Sequence, residues 1–88
     1  MRVGSTNMVV KLMSVGSVTF WKKTDGWGVI ESEDTPGGCW AHFSVIDMKG
    51  FHELSPGQEV YFEWEPSTNI DGYRFNALKI QPAGGEDP

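Results

Sequence analysis

The sequence predicts an all-β domain, a small closed barrel of five short antiparallel strands. Three observations lead there. Five runs are rich in β-branched and aromatic residues, and several alternate between apolar and polar positions. Clusters of Gly, Pro, Asp and Asn interrupt them at intervals of roughly ten residues, the spacing of all-β sandwiches and barrels. Beyond a single turn, no stretch shows a helical period. Closing the strands on one another removes exposed sheet edges, and five strands suit an OB-type barrel, with an SH3-like barrel as the alternative.

Taken in order, residues 1–14 contain Val9-Val10 and three methionines without turn chemistry or a sustained period, so they are expected to be a disordered leader. The folded domain is expected over 15–81 and a flexible tail over 82–88. The first strand is Ser17-Val18-Thr19-Phe20-Trp21-Lys22-Lys23, closed by the turn Thr24-Asp25-Gly26. Phe20 and Trp21 are adjacent, so a regular strand must expose one of the two rings. The second strand, Gly26-Trp27-Gly28-Val29-Ile30, leads through Asp34-Thr35-Pro36-Gly37-Gly38 into a third near Gly38 to Phe43. A helical turn follows at Ser44-Val45-Ile46-Asp47, then a connection to the turn Ser55-Pro56-Gly57. The run Glu59 to Glu65 alternates acids with Val60, Phe62 and Trp64, which are expected to pack inward. A turn at Asn69-Ile70-Asp71-Gly72 precedes the fifth strand, Tyr73 to Ile80.

Composition narrows the function. A chain of 88 residues is one domain with one small core, too slight to sustain much active-site strain. Its lone cysteine, Cys39, excludes an internal disulfide and, with only two histidines, falls short of a common zinc ligand set. That usage, with neither an apolar run of spanning length nor a secretory signal pattern, leads us to expect a cytoplasmic protein without cofactor or metal; a monomer is the separate expectation for its assembly. A net charge of −5 and a pI near 4.8 weigh against a phosphate-bearing partner, unless the acids lie away from the binding face. Four tryptophans among 11 aromatic residues are generous for this length, so some rings are expected outside the core.

Strand parity says which. Trp27 and Val29 share one face of the second strand and Ile30 takes the other; on the third, Trp40 and His42 share a face opposite Cys39 and Ala41. The glycines beside Trp27 are expected to leave its face bare. Small apolar residues suit an interior, whereas tryptophan beside histidine suits a platform for planar groups. Phe43, one residue out of phase with His42, is open between core and surface. Phe51, in a connection, either plugs the barrel or caps the site. Lys22-Lys23 is either a solvated turn or a backbone contact. A Ser44–His42–Asp47 triad is rejected, because residues so close in the chain do not converge easily and nothing supplies an oxyanion hole. Gly26-x-Gly28 is followed by no helix to receive a phosphate. No enzyme or small-molecule substrate is expected.

Gly16 to Trp21, Gly26-Trp27-Gly28-Val29-Ile30, Cys39-Trp40-Ala41-His42-Phe43-Ser44-Val45-Ile46, Gly50-Phe51 with Leu54, and Gly57 to Glu63 resemble the cold-shock domain family, in its bacterial form, in order and spacing over about residues 16 to 81. The resemblance implies a five-stranded OB-fold barrel that binds single-stranded RNA and DNA, as an RNA chaperone or a regulator of transcription or translation. Carried over by position, Phe20, Trp27, Trp40, His42, Phe43 and Phe51 would stack bases, with Lys22 and Arg74 near the backbone track. Asp25 and Thr19 stand where the family commonly carries lysines, and Val29 where it has a phenylalanine; Trp27 and Trp40 offer larger rings than the usual Phe or Tyr. A protein-interaction barrel with an exposed aromatic patch is the competing function, favoured by the acidic charge.

Overall fold

Strand parity sorts the side chains as expected. Ile30, Cys39, Ala41, Val60, Phe62 and Ile80 are wholly buried in one cluster with Val18 and Ala77, while Ile46 and Leu54 join from the connections. The computed structural model describes residues 13–47 and 54–83. Its strands are β1 (Met13–Lys22), β2 (Trp27–Glu31), β3 (Cys39–His42), β4 (Glu59–Ile70) and β5 (Tyr73–Pro82), with a 3-10 turn at Phe43–Val45. They close in the order β1-β2-β3-β5-β4.

Four junctions are antiparallel, and β3 pairs with β5 in parallel at Trp40↔Asn76. The closed five-stranded barrel is the one expected, with this single parallel junction. A closed ring with an odd number of strands cannot reverse direction at every junction, so one pair must run parallel. The first strand also starts earlier than expected, at Met13. Ser14, assigned to the leader from sequence, is buried: its Oγ accepts a hydrogen bond from the Trp64 indole at 2.9 Å and donates to Asp34 at 2.5 Å. The leader's remaining residues, 1–12, and the tail residues 84–88 lie outside the described residues.

The adjacent rings of Phe20 and Trp21 take opposite faces by ordinary alternation, and a bulge just before them decides which ring goes inward. Val18 pairs with Ile30 and Phe20 with Val29, leaving Thr19 as the extra residue. Val18 and Trp21, three apart, therefore both reach the core, and Phe20 is turned to the outer face. On β4, Val60 and Phe62 point inward as expected, and Trp64 packs against the core edge-on to Phe75, ring centroids 5.3 Å apart. Burial raises the Cys39 thiol from 9.0 to about 12, so it behaves as a small apolar residue. Among the described residues, no helix is long and apolar enough to cross a membrane.

Candidate nucleic-acid interface

The outer wall of β1–β3 carries a continuous row of rings. Register places Trp27 opposite His42 and Val29 opposite Trp40, so the two indoles are diagonal neighbours on one face. Phe20 meets Trp27 edge-on at 5.7 Å; Trp27 and Trp40 stack at 5.8 Å and 23°; Trp40 and His42 stack at 5.9 Å and 20°; Phe43 leans on His42 at 4.6 Å. Both indoles and the imidazole are half-buried and lie outside the core cluster, and Phe43 is exposed. Lys22 sets its Nζ 5.0 Å from the Trp27 ring centroid and 6.0 Å from that of Phe20, a cation–π arrangement at one edge of the row.

The glycines beside Trp27 serve its neighbours, and the sequence expectation for them is corrected. A Cβ on Gly28 would clash with the Trp21 ring, on the inner side, and one on Gly26, at φ +78°, would lie 2.9 Å from the Phe43 ring. Their missing side chains admit two aromatics, one inside and one outside. Phe43 leaves strand parity because the chain turns: it opens the 3-10 turn, its N–H bonding to the Gly26 carbonyl at 2.9 Å.

His42 Nδ1 caps that turn by accepting from the Ser44 N–H at 3.2 Å, and it lies 2.8 Å from Ser44 Oγ. The serine and histidine thus do meet, contrary to the geometric reason given for rejecting a triad. The third member is engaged elsewhere: Asp47 faces Lys79 at 3.8 Å and accepts from Gln81 at 3.3 Å. Nδ1, held as an acceptor by a backbone amide, serves the cap, and the imidazole presents its flat face in line with Trp40.

Of the other expected site residues, Arg74 is exposed on β5, one residue beyond Tyr73, and takes part in none of these ring contacts. Phe51 lies outside the described residues. Two positions were missed. Tyr73 and Val29 both approach Gly38, where a Cβ would lie 3.1 Å and 2.8 Å from them, and Val29, though on the Trp27 face by parity, is buried. These three, with Thr19, Phe20, Gly37 and Glu31, line a cleft of about 260 Å³ beside the row. Asp71 accepts a hydrogen bond from the Trp40 indole N–H at 3.1 Å. The turn at Asn69–Gly72 was visible in the sequence, but its reach across to β3 depends on the parallel closure.

The acids are unevenly spread. Glu31, Glu33, Asp34 and Glu59 gather around a groove of about 840 Å³ with Val15, Gly16, Ser17 and Ser32, none of which bears a ring of the row. Among the described residues, no three His, Cys, Asp or Glu side chains are placed to hold a metal ion.

Such a wall of half-exposed rings on a five-stranded barrel can receive planar groups face to face. A family model described as the 'Cold-shock' DNA-binding domain matches residues 14–79, three-quarters of the chain. The chain belongs to the cold-shock domain family. It is 39% identical over 51 residues to the cold shock-like protein CspD of Haemophilus influenzae, covering 58% of this chain and 71% of that protein. It is 42% identical over 48 residues to a cold shock-like protein of Aquifex aeolicus, covering 54% and 69%. With the cold shock-like protein CspE of Escherichia coli it shares 40% over 48 residues, covering 54% and 70%. Cold-shock domains bind nucleic acid, single strands in particular, and this chain is of that general kind. Catalysis is not what the family is known for.

Proposed function

We propose that this cold-shock domain binds unpaired RNA and DNA by stacking bases on Phe20, Trp27, Trp40, His42 and Phe43, and acts as an RNA chaperone or a regulator of transcription or translation. The observation that carries the reading is the unbroken row of rings from Phe20 to Phe43 on the outer wall. Every base has a π-face, so such a row binds with little sequence preference, at about 1–3 kcal/mol per stacked base. A duplex has already stacked and paired its bases, which selects for single strands. Lys22 supplies a cation beside the track, and Arg74 and Phe51 are carried over as further members from the family resemblance. One copy of the chain is sufficient, and its single cysteine suits the cytoplasm.

No nucleotide hydrolysis is needed, because capture of open strands shifts a hairpin toward its unpaired form by mass action. A hairpin RNA carrying a fluorophore and a quencher at its ends tests this. Its opened fraction should rise with protein concentration in the absence of ATP, and less so with Trp27→Ala. A hairpin population unchanged at tens of micromolar protein would remove the chaperone role, and failure to bind the open strand at all would leave the aromatic patch to a protein partner.

A further inference from the structure

The β4–β5 hairpin turns on Asp71 and Gly72, at φ +55° and +89°, between the paired residues Ile70 and Tyr73. Asp-Gly is a favoured pair for a two-residue hairpin turn with both central residues in the left-handed region, and the Asn69 side chain accepts the Gly72 N–H at 2.8 Å. Local sequence therefore accounts for the turn's shape. Its position has another consequence: the parallel pairing of Trp40 with Asn76 brings the hairpin beside the aromatic row, where Asp71 Oδ2 accepts the Trp40 indole N–H.

A carboxylate at that point is electrostatically adverse. The protein already carries a net charge of −5, and a strand stacked on Trp40 brings phosphates within a Debye length of Asp71. A charge-assisted hydrogen bond is also directional. A half-buried indole on the outer wall can still swing about its side-chain torsions, and a fixed acceptor on a tight turn confines it to one plane. Here that plane lies 23° from the Trp27 ring and 20° from His42. A phenylalanine at position 40 would have no N–H to be held.

We infer that Asp71 is a positioning residue for base binding: it holds the Trp40 indole nearly parallel to its neighbours, and this gain outweighs its repulsion of phosphate. The inference rests on the stacking function proposed above. Orientation and charge act in opposite directions, and that opposition makes the role testable.

The test compares the affinity for a heptathymidine of the wild type, Asp71→Gly, Asp71→Asn, Trp40→Phe and the Trp40→Phe/Asp71→Gly pair. Glycine accepts the left-handed turn without strain and asparagine keeps an acceptor oxygen, so both variants retain the hairpin. Asp71→Gly should weaken binding about three- to ten-fold, a partial loss of one stack. Asp71→Asn should bind at least as tightly as the wild type. In the Trp40→Phe background, Asp71→Gly should leave binding unchanged or tighten it, because only the repulsion is removed. The far-ultraviolet exciton couplet of the stacked Trp27–Trp40 pair should collapse in free Asp71→Gly and persist in Asp71→Asn.

An Asp71→Gly protein that binds as well as the wild type, keeps the couplet, or loses as much affinity with phenylalanine at position 40 would overturn the role of Asp71. A wild type that does not bind would overturn the stacking function itself.

Discussion

Four tryptophans occupy two opposed settings. Trp21 and Trp64 lie against the core, Trp64 tied through Ser14 to Asp34, whereas Trp27 and Trp40 stack on each other outside the barrel. Residue type does not separate the pairs. Their positions do: Trp27 and Trp40 alternate with Gly28, Cys39 and Ala41, which face inward, while Trp21 is brought inward by the bulge at Thr19. The same indole is a packing unit on one side of the wall and, on the other, part of the stacking surface proposed above.

Removing one ring from each side should break stability and binding separately. Trp64→Ala should have the largest effect, about 3 kcal/mol of unfolding free energy in a urea titration. That is the low end for core aromatics because the ring is only partly buried. Its affinity for single strands, corrected for the folded fraction, should be unchanged. Trp27→Ala should invert the pattern, with binding weaker by about 1–3 kcal/mol and unfolding changed by less than about 1 kcal/mol. If Trp27→Ala instead unfolds the domain, that ring belongs with Trp21 and Trp64.

The interior also predicts a pH dependence. Burial lifts the Cys39 thiol from 9.0 to about 12, so the folded state keeps its proton where the unfolded chain has lost it. That contribution to stability is complete below about pH 9 and declines as pH rises toward 12; Cys39→Ala should flatten this part of the stability profile. A Cys39→Ala profile as steep as the wild type's over this window would assign the decline to other groups.

The smallest effect belongs to the charges on the outer face. Lys22→Ala should weaken binding modestly and flatten the salt slope by about 0.7 on the logarithmic scale. With two or three cationic contacts, the wild-type slope should be about −1.5 to −2; a slope steeper than about −4 would show charge, in place of stacking, to be the main source of affinity.

Much of this division is legible in the sequence because side-chain alternation has a fixed period of two. The inward set Ile30, Cys39, Ala41, Val60 and Phe62 and the outward set Trp27, Trp40 and His42 follow from parity once the strands are placed. Parity fails where the chain departs from a regular strand. At Thr19 one extra residue shifts the alternation of the residues that follow it relative to those before, and at Phe43 a 3-10 turn begins. Neither has a local signature as plain as a Pro or an Asp-Gly pair. Asp71 and Tyr73 were hidden for a different reason: they reach the outer face only through the parallel closure of β3 on β5, a contact between segments more than thirty residues apart.

On the proposed function, Trp27 and Trp40 receive unpaired bases. A Trp21→Phe/Trp64→Phe variant keeps both inner rings aromatic and leaves only the outer pair to fluoresce, so a titration with heptathymidine reports on that pair alone. Strong quenching by the single strand and weak quenching by a matched duplex are expected. Unchanged emission at tens of micromolar single strand, with the barrel still folded, would contradict it.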